Sequence, residues 1–243
     1  MNKTSSKLNI STVMCTYDTY DFLWPNYMKT WNKYWEPDTH NIVIGETISH
    51  TEPNFDYVTP GKIREDGKDL WGTRMKMALD MVTTDYVFVM LIDFYLWEPI
   101  TYQHIEDELI FLNIQQGNKV VMDENAPRAY NLQHLAGNYY KFENHSDYQT
   151  SLMPSVWRTD FLKQSLNDND DPWIFETVGT DRIKGQDNGV YIHMRNDPIF
   201  YNVIRKRKYI PEQWGKVKWT DFVEKEGLDD ITPHLTDDLT DWS

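Results

Sequence analysis

The chain has 243 residues, with 24 basic against 38 acidic side chains and a formal charge of −14. Such a surface repels polyanions, so duplex nucleic acid and anionic membrane are not expected as partners. One cysteine, Cys15, excludes an internal disulfide and a cysteine-rich zinc site.

No apolar segment reaches membrane-spanning length, and Met1–Lys7 is polar rather than signal-like. A soluble cytoplasmic protein without membrane insertion is expected. No Pro/Gly/Ser-rich linker divides the chain, so residues 1–227 are expected to form a single α/β domain. Residues 228–243 are acidic and poor in apolar side chains, the composition of a mobile or loosely docked tail. Ten tryptophans and fifteen tyrosines supply core and also flat faces that stack on sugars or bases.

Asn9–Cys15 predicts a first strand, followed by a polar loop. Trp24, Tyr27, Met28, Trp31 and Trp35 recur at helical spacing, and Pro25 suits a helix start, where its missing N–H costs little. Asn41–Gly45 predicts a second strand ending at Glu46. Pro53–Asp69 reads as a loop with a Pro60-Gly61 turn. Asp69 fits the N-cap of a helix whose buried face is Trp71, Met75, Ala78 and Val82. Tyr86–Ile92 is an unbroken apolar run, rich in β-branched and aromatic residues, and reads as a strand covered on both faces. It runs straight into one carboxylate, Asp93. A helix from Thr101 to about Gln115 on Ile105, Leu109 and Leu112 and a strand at Lys119–Met122 follow. Alternating strands and helices argue for an α/β sandwich.

The second half is less regular. Tyr139–Phe142, Ser151–Trp157, Val190–Met194, Phe200–Ile204 and Lys208–Ile210 predict short strands. Thr159 fits the cap of a short helix to Leu166, Asn167–Asp171 an acidic turn, and Trp219–Glu226 a helix closed by Gly227. No internal repeat, Gly-x-Gly-x-x-Gly, P-loop or Gly-x-Ser-x-Gly occurs, which argues against a dehydrogenase, an ATPase and an α/β-hydrolase.

In open α/β sheets, ligands sit just beyond the carboxyl ends of the strands. Asp93 stands at such an end; its alternative role is to cap the following turn. Four pieces recur in a telling order: Trp71–Met81, Tyr86–Leu96, Ser151–Arg158 (SLMPSVWR) and Pro172–Glu176 (PWIFE). With their spacing, over roughly residues 9–210, they resemble a small bacterial and viral group of GT-A-type glycosyltransferases. The resemblance implies a Rossmann-like GT-A α/β/α sandwich with a mixed, mainly parallel central sheet. It implies hexosyl or pentosyl transfer from a nucleotide-sugar donor, expected to be a UDP-sugar, to a carbohydrate or other hydroxyl acceptor.

It also implies a divalent cation, manganese or magnesium, neutralising the donor diphosphate. The GT-A pattern ends this strand in Asp-x-Asp or Asp-Asp. Here Leu91 and Ile92 stand where the partner acid would be, leaving Asp93, with His193 as a further implied ligand. Glu176 is implied as the base that takes the acceptor proton; the alternative is a glutamate favoured by the dipole of a helix over Thr177–Ile183. Thr16, Tyr17, Asp18 and Glu46 are implied to contact base and ribose, with turn chemistry as the alternative for Asp18. Trp71 and Arg74 are implied near the diphosphate or donor sugar, with a solvated helix face as the alternative for Arg74. Tyr148, Trp157 and Trp173 are implied to shape the acceptor site, within an aromatic group that includes Tyr139 and Tyr140, with core packing as the alternative for most of them. Arg205–Lys208 is a dense basic run, either a phosphate clamp or a solvated edge strand. Two other functions fit: a non-catalytic nucleotide- or carbohydrate-binding protein on the same fold, and a viral enzyme glycosylating modified nucleic-acid bases, against which the net charge weighs. No oligomeric state is predicted.

Overall fold

Strand β1 (Ile10–Cys15) is buried at every residue because helices cover both its faces. The computed structural model describes residues 8–61, 70–123, 130–195, 199–205, 208–209, 212–213, 217–231 and 234. After β1 come α1 (Trp24–Tyr34), β2 (His40–Ile44), β3 (Phe55–Val58), α2 (Trp71–Met81), β4 (Tyr86–Leu91), β5 (Phe94–Leu96), α3 (Tyr102–Gln115) and β6 (Lys119–Asp123). Then follow β7 (Leu132–Ala136), β8 (Tyr139–Phe142), β9 (Ser155–Arg158), α4 (Thr159–Ser165), α5 (Pro172–Ile174), α6 (Thr180–Ile183), β10 (Val190–Met194), β11 (Phe200–Asn202) and, at the end, α7 (Trp219–Glu226).

The described residues form a nine-stranded sheet in the order β3-β2-β1-β4-β9-β6-β10-β8-β7. β3, β2, β1 and β4 are parallel neighbours, as are β6 and β10, whereas β9 and β8 run against the rest. Successive side chains on a strand point to opposite faces. Ile10 and Met14 of β1 therefore meet α1 and α3 in one core, which also takes Trp219 and Phe222 of α7. Val13 and Cys15 face α2, α4 and Phe175 in the other. The α/β/α sandwich with a mixed sheet, parallel through its centre, is the fold.

Several local expectations need correction. The stretch expected as a loop after Pro53 contains β3, a sheet-edge strand with one buried residue, Val58. The apolar run ends as a strand at Leu91; Ile92 and Asp93 form a tight turn into β5, which pairs with β11. The strand expected at Ser151–Trp157 forms as β9, four residues later at its start. Thr159 does not cap α4: it is the first helical residue, and its hydroxyl donates to the Thr84 carbonyl at 2.9 Å. Strand β7 went unpredicted. Asp69 lies outside the described residues, and Leu70 precedes α2. The tail begins docked: Leu228 and Ile231 are buried, and Asn26 and Asp229 exchange hydrogen bonds of 2.7 and 2.8 Å. Residues 235–243 lie outside the described set. Among the described residues, no helix is long and apolar enough to cross a membrane.

One glycine is dictated by close approach. A Cβ on Gly72 would lie 2.0 Å from the Asn167 carbonyl oxygen, and the Gly72 N–H donates to the Asp170 carbonyl at 2.9 Å. That contact seats the acidic turn on the start of α2.

Candidate active site

The loops after β1, β2 and β3 are tied into one unit. The Asp18 N–H donates to Glu46 Oε2 at 2.9 Å. Asp18 Oδ1 accepts from the Thr47 and Ile48 N–H groups at 3.0 and 3.1 Å, and Oδ2 accepts from the Thr47 hydroxyl. Turn chemistry is thus what Asp18 does here. Glu46 is fully buried, and its carbonyl accepts from the Gly61 N–H at 2.9 Å. Arg74 Nη1 closes the unit by donating to the Gly61 carbonyl at 2.9 Å. Arg74 is fully buried, not on a solvated helix face. Thr16 is buried with its N–H on the Ile44 carbonyl at 2.8 Å, and Tyr17 sits edge-on to Tyr20.

Asp93 follows directly from the end of β4. The Ile92 N–H donates to the Cys15 carbonyl at 2.9 Å, and the Asp93 carbonyl accepts from Val203 at 2.7 Å, so the turn is pinned on both sides. The residue keeps part of its surface exposed, but Oδ1 is covered and has no hydrogen-bond partner among the described residues. Burial disfavours the ionised form, and the negative charge of Glu176 adds to it, against a hydrogen bond from Asp93's own backbone; the carboxyl pKa rises to about 7. Beneath it, burial pushes the Cys15 thiol up to about 12, opposed by a hydrogen bond from Trp71 and the charge of Arg74.

Glu176 lies inside a helical turn rather than at a helix start. Residues 172–183 run α5, a π-helical turn over Phe175–Gly179, then α6. Such bulges rotate side chains out of the regular helical row and recur at functional sites. The half-buried carboxylate accepts the Leu152 N–H on Oε1 at 2.5 Å. Its charge is felt both at Asp93 and at the fully buried Lys119, which opens β6.

The remaining candidates disperse. Trp157 is a core residue, fully buried with its indole on Ser155 Oγ at 2.8 Å, and offers no face to a sugar. Trp71 is likewise buried, against Phe175. Trp173 is 59% exposed, one turn before Glu176. Tyr148 stands beside Tyr130, Tyr139 stacks on His193, and Tyr140 meets His134, so the aromatics make no shared platform. His193 is bonded through Nδ1 to Glu108 Oε1 at 2.6 Å. Strands β9 and β6 separate its strand from that of Asp93, about 14 Å of sheet at the usual spacing. They do not form a joint metal site, and among the described residues no group of three His, Cys, Asp or Glu could hold a metal ion. Asp93 offers one carboxylate; magnesium binds through one or two carboxylates and completes its shell with waters and substrate phosphates. Lys206 and Arg207 of the basic run lie outside the described residues. An open cavity of about 760 Å³ is lined by Lys76, Ile174 and the acidic turn, without Asp93 or Glu176.

No protein-family model matches this chain, and no curated protein sequence does. Solved structures do match. The mannosyltransferase PcManGT from Pyrobaculum calidifontis, in complex with GDP-Man and Mn2+, superposes with a TM-score of 0.51 at 12% identity, over 84% of this chain and 59% of that one. The chain has a GT-A-like fold. S. aureus TarS aligns at 12% identity with a TM-score of 0.48, over 80% of this chain and 36% of TarS. Its 1–349 form in complex with UDP aligns at 12% with a TM-score of 0.49, over 82% and 62%. The chain thus spans 36 to 62% of the length of these proteins. On the GT-A-like sheet, Asp93 and the Thr16–Glu46 unit sit beyond the carboxyl ends of β4, β1 and β2, where open α/β sheets hold their ligands.

Proposed function

We propose that this chain is a glycosyltransferase that moves a sugar from a nucleoside-diphosphate donor, a UDP-sugar, to a hydroxyl of a carbohydrate or other acceptor. What supports this is the place of Asp93 just beyond the end of β4 on the GT-A-like sheet, where open α/β sheets hold their ligands; the charge of Glu176 is felt there as well. The GT-A-like fold supports it.

In this mechanism Glu176 accepts the proton of the acceptor hydroxyl as that oxygen attacks the anomeric carbon. The new C–O bond forms while the bond from the anomeric carbon to the diphosphate oxygen breaks, and the electron pair leaves with the nucleoside diphosphate. Asp93 faces the donor. Below pH about 7 it carries a proton and can donate it in a hydrogen bond to a phosphate oxygen or a donor-sugar hydroxyl. The Thr16, Tyr17, Asp18 and Glu46 unit receives base and ribose. Trp173, exposed beside Glu176, offers its ring to the acceptor. We further propose that residues 1–227 act as one domain and that the protein works in the cytoplasm, which the unpaired thiol of Cys15 supports.

The test is hydrolysis or transfer across a panel of nucleotide sugars by the parent, Asp93→Ala and Glu176→Gln. Glu176→Gln is expected to lower turnover about 10²–10⁴-fold, the usual worth of a positioned base. Equal turnover in all three would end the site assignment. A nucleotide- or carbohydrate-binding protein without transfer is the second reading, favoured by the single acid that ends β4. Calorimetric binding of UDP with no turnover of any donor would select it.

A further inference from the structure

Lys119 opens β6 and is fully buried. Its Nζ donates to the carbonyls of Gln149 at 3.1 Å and Ser151 at 2.7 Å and to the Ser151 hydroxyl at 3.2 Å. The same nitrogen lies 4.2 Å from the centroid of the Trp157 ring. Burial pulls the Lys119 pKa well below the ordinary lysine range, opposed by the charge of Glu176, and these contacts take up its N–H donors. A lysine in such a place is costly to bury, and an apolar side chain of similar volume would serve stability at least as well. The contacts fasten one stretch, residues 149–151.

That stretch in turn holds Glu176. The Thr150 hydroxyl donates to the Phe175 carbonyl at 2.7 Å. The Thr150 N–H donates to Thr180 Oγ1 at 3.1 Å, and the Thr180 hydroxyl donates to the Glu176 carbonyl at 2.7 Å. The next N–H along, that of Leu152, donates to Glu176 Oε1. Glu176 is thus gripped at its backbone and its carboxylate by residues that Lys119 anchors. The Glu176 charge is felt at Asp93 and at Lys119.

We infer that Lys119 is a positioning residue, which through residues 149–152 sets the direction of the Glu176 carboxylate. The inference rests on the glycosyltransferase reading for its catalytic meaning, but its physical content can be measured without turnover. Loss or misalignment of the Leu152 hydrogen bond would favour protonated Glu176.

The test compares the full-length parent with Lys119→Met and Lys119→Arg. One readout is donor hydrolysis against pH. The other is NMR titration of the Glu176 carboxyl carbon, assigned by its loss in Glu176→Gln. Lys119→Met is expected to lower kcat about 10–100-fold with the donor KM little changed, as for a misplaced catalytic group. The acidic limb of the rate profile and the Glu176 titration should both move to higher pH by about half a unit or more. Lys119→Arg, which keeps N–H donors for Gln149 and Ser151, should restore most of that shift. A Lys119→Met protein that is merely less stable, with Glu176 titrating at the parent pH, would overturn the inference. If Lys119→Met does not fold, Lys119→Gln takes its place with the same expected and overturning results. Absence of turnover in the parent would count against the glycosyltransferase reading alone, and the titration would still decide the role of Lys119.

Discussion

Asp93 and Glu108 are both carboxylates drawn out of water, and their surroundings differ in kind. Glu108, on α3, is fully buried, yet both its oxygens are bonded, one to His193 at 2.6 Å and one to the Tyr139 hydroxyl at 2.9 Å. Tyr139 stacks on His193 and on Phe111, so the corner is closed by packing as well. Asp93 has a covered oxygen with no partner among the described residues and a pKa lifted to about 7. A satisfied buried acid holds elements together. A half-buried acid with one covered oxygen left without a partner is costly to the fold, and such acids recur where ligands bind.

Substitutions should separate the two. The largest stability effect is expected at Glu108. Glu108→Ala strands His193 and Tyr139 in a covered corner and should cost about 2–4 kcal/mol, read as a lower urea midpoint. An equal loss in Asp93→Ala would erase the contrast.

Asp93→Asn should act in the other direction, and only above a certain pH. The folded pKa of about 7 lies above the ordinary aspartate value of 3.8. Between those values the folded protein holds a proton that the unfolded chain releases, so stability falls as pH rises through the window. Asparagine cannot ionise and escapes that loss. The variant should be more stable than the parent at pH 8, on the order of 1–3 kcal/mol, and no more stable at pH 4. A gain independent of pH would show that ionisation is not the cause. Smallest in stability is Trp173→Ala. With its ring already in solvent, the midpoint should move by less than about 0.5 kcal/mol, while the acceptor KM rises; an unchanged KM would remove Trp173 from the acceptor site.

The sandwich was legible because its central strands and helices carry strong periodic signals. The Tyr86–Ile92 run marked β4, and the Trp24–Trp31 spacing marked α1. Asp93 and Glu176 were legible as candidates through their place in the chain order. What failed was long-range. Nothing local in the residues around Arg74 tells that Gly61 waits for its guanidinium, and nothing near Trp157 tells that α4 and Phe175 cover it. His193 was drawn toward Asp93 by pattern, but the order of strands β4, β9, β6 and β10 keeps them apart. β3 has one buried residue and no alternation to announce it. Lys119 carried a usable signal, a charge opening the apolar Lys119–Met122 segment, and the pull of an apolar strand obscured it.

The most direct measurement is the titration of the Asp93 carboxyl carbon by NMR, in the parent and in Glu176→Gln. A midpoint near 7 in the parent, moving toward lower pH when Glu176 loses its charge, is the predicted result. A midpoint near the ordinary aspartate value of about 4, untouched by Glu176→Gln, would contradict it.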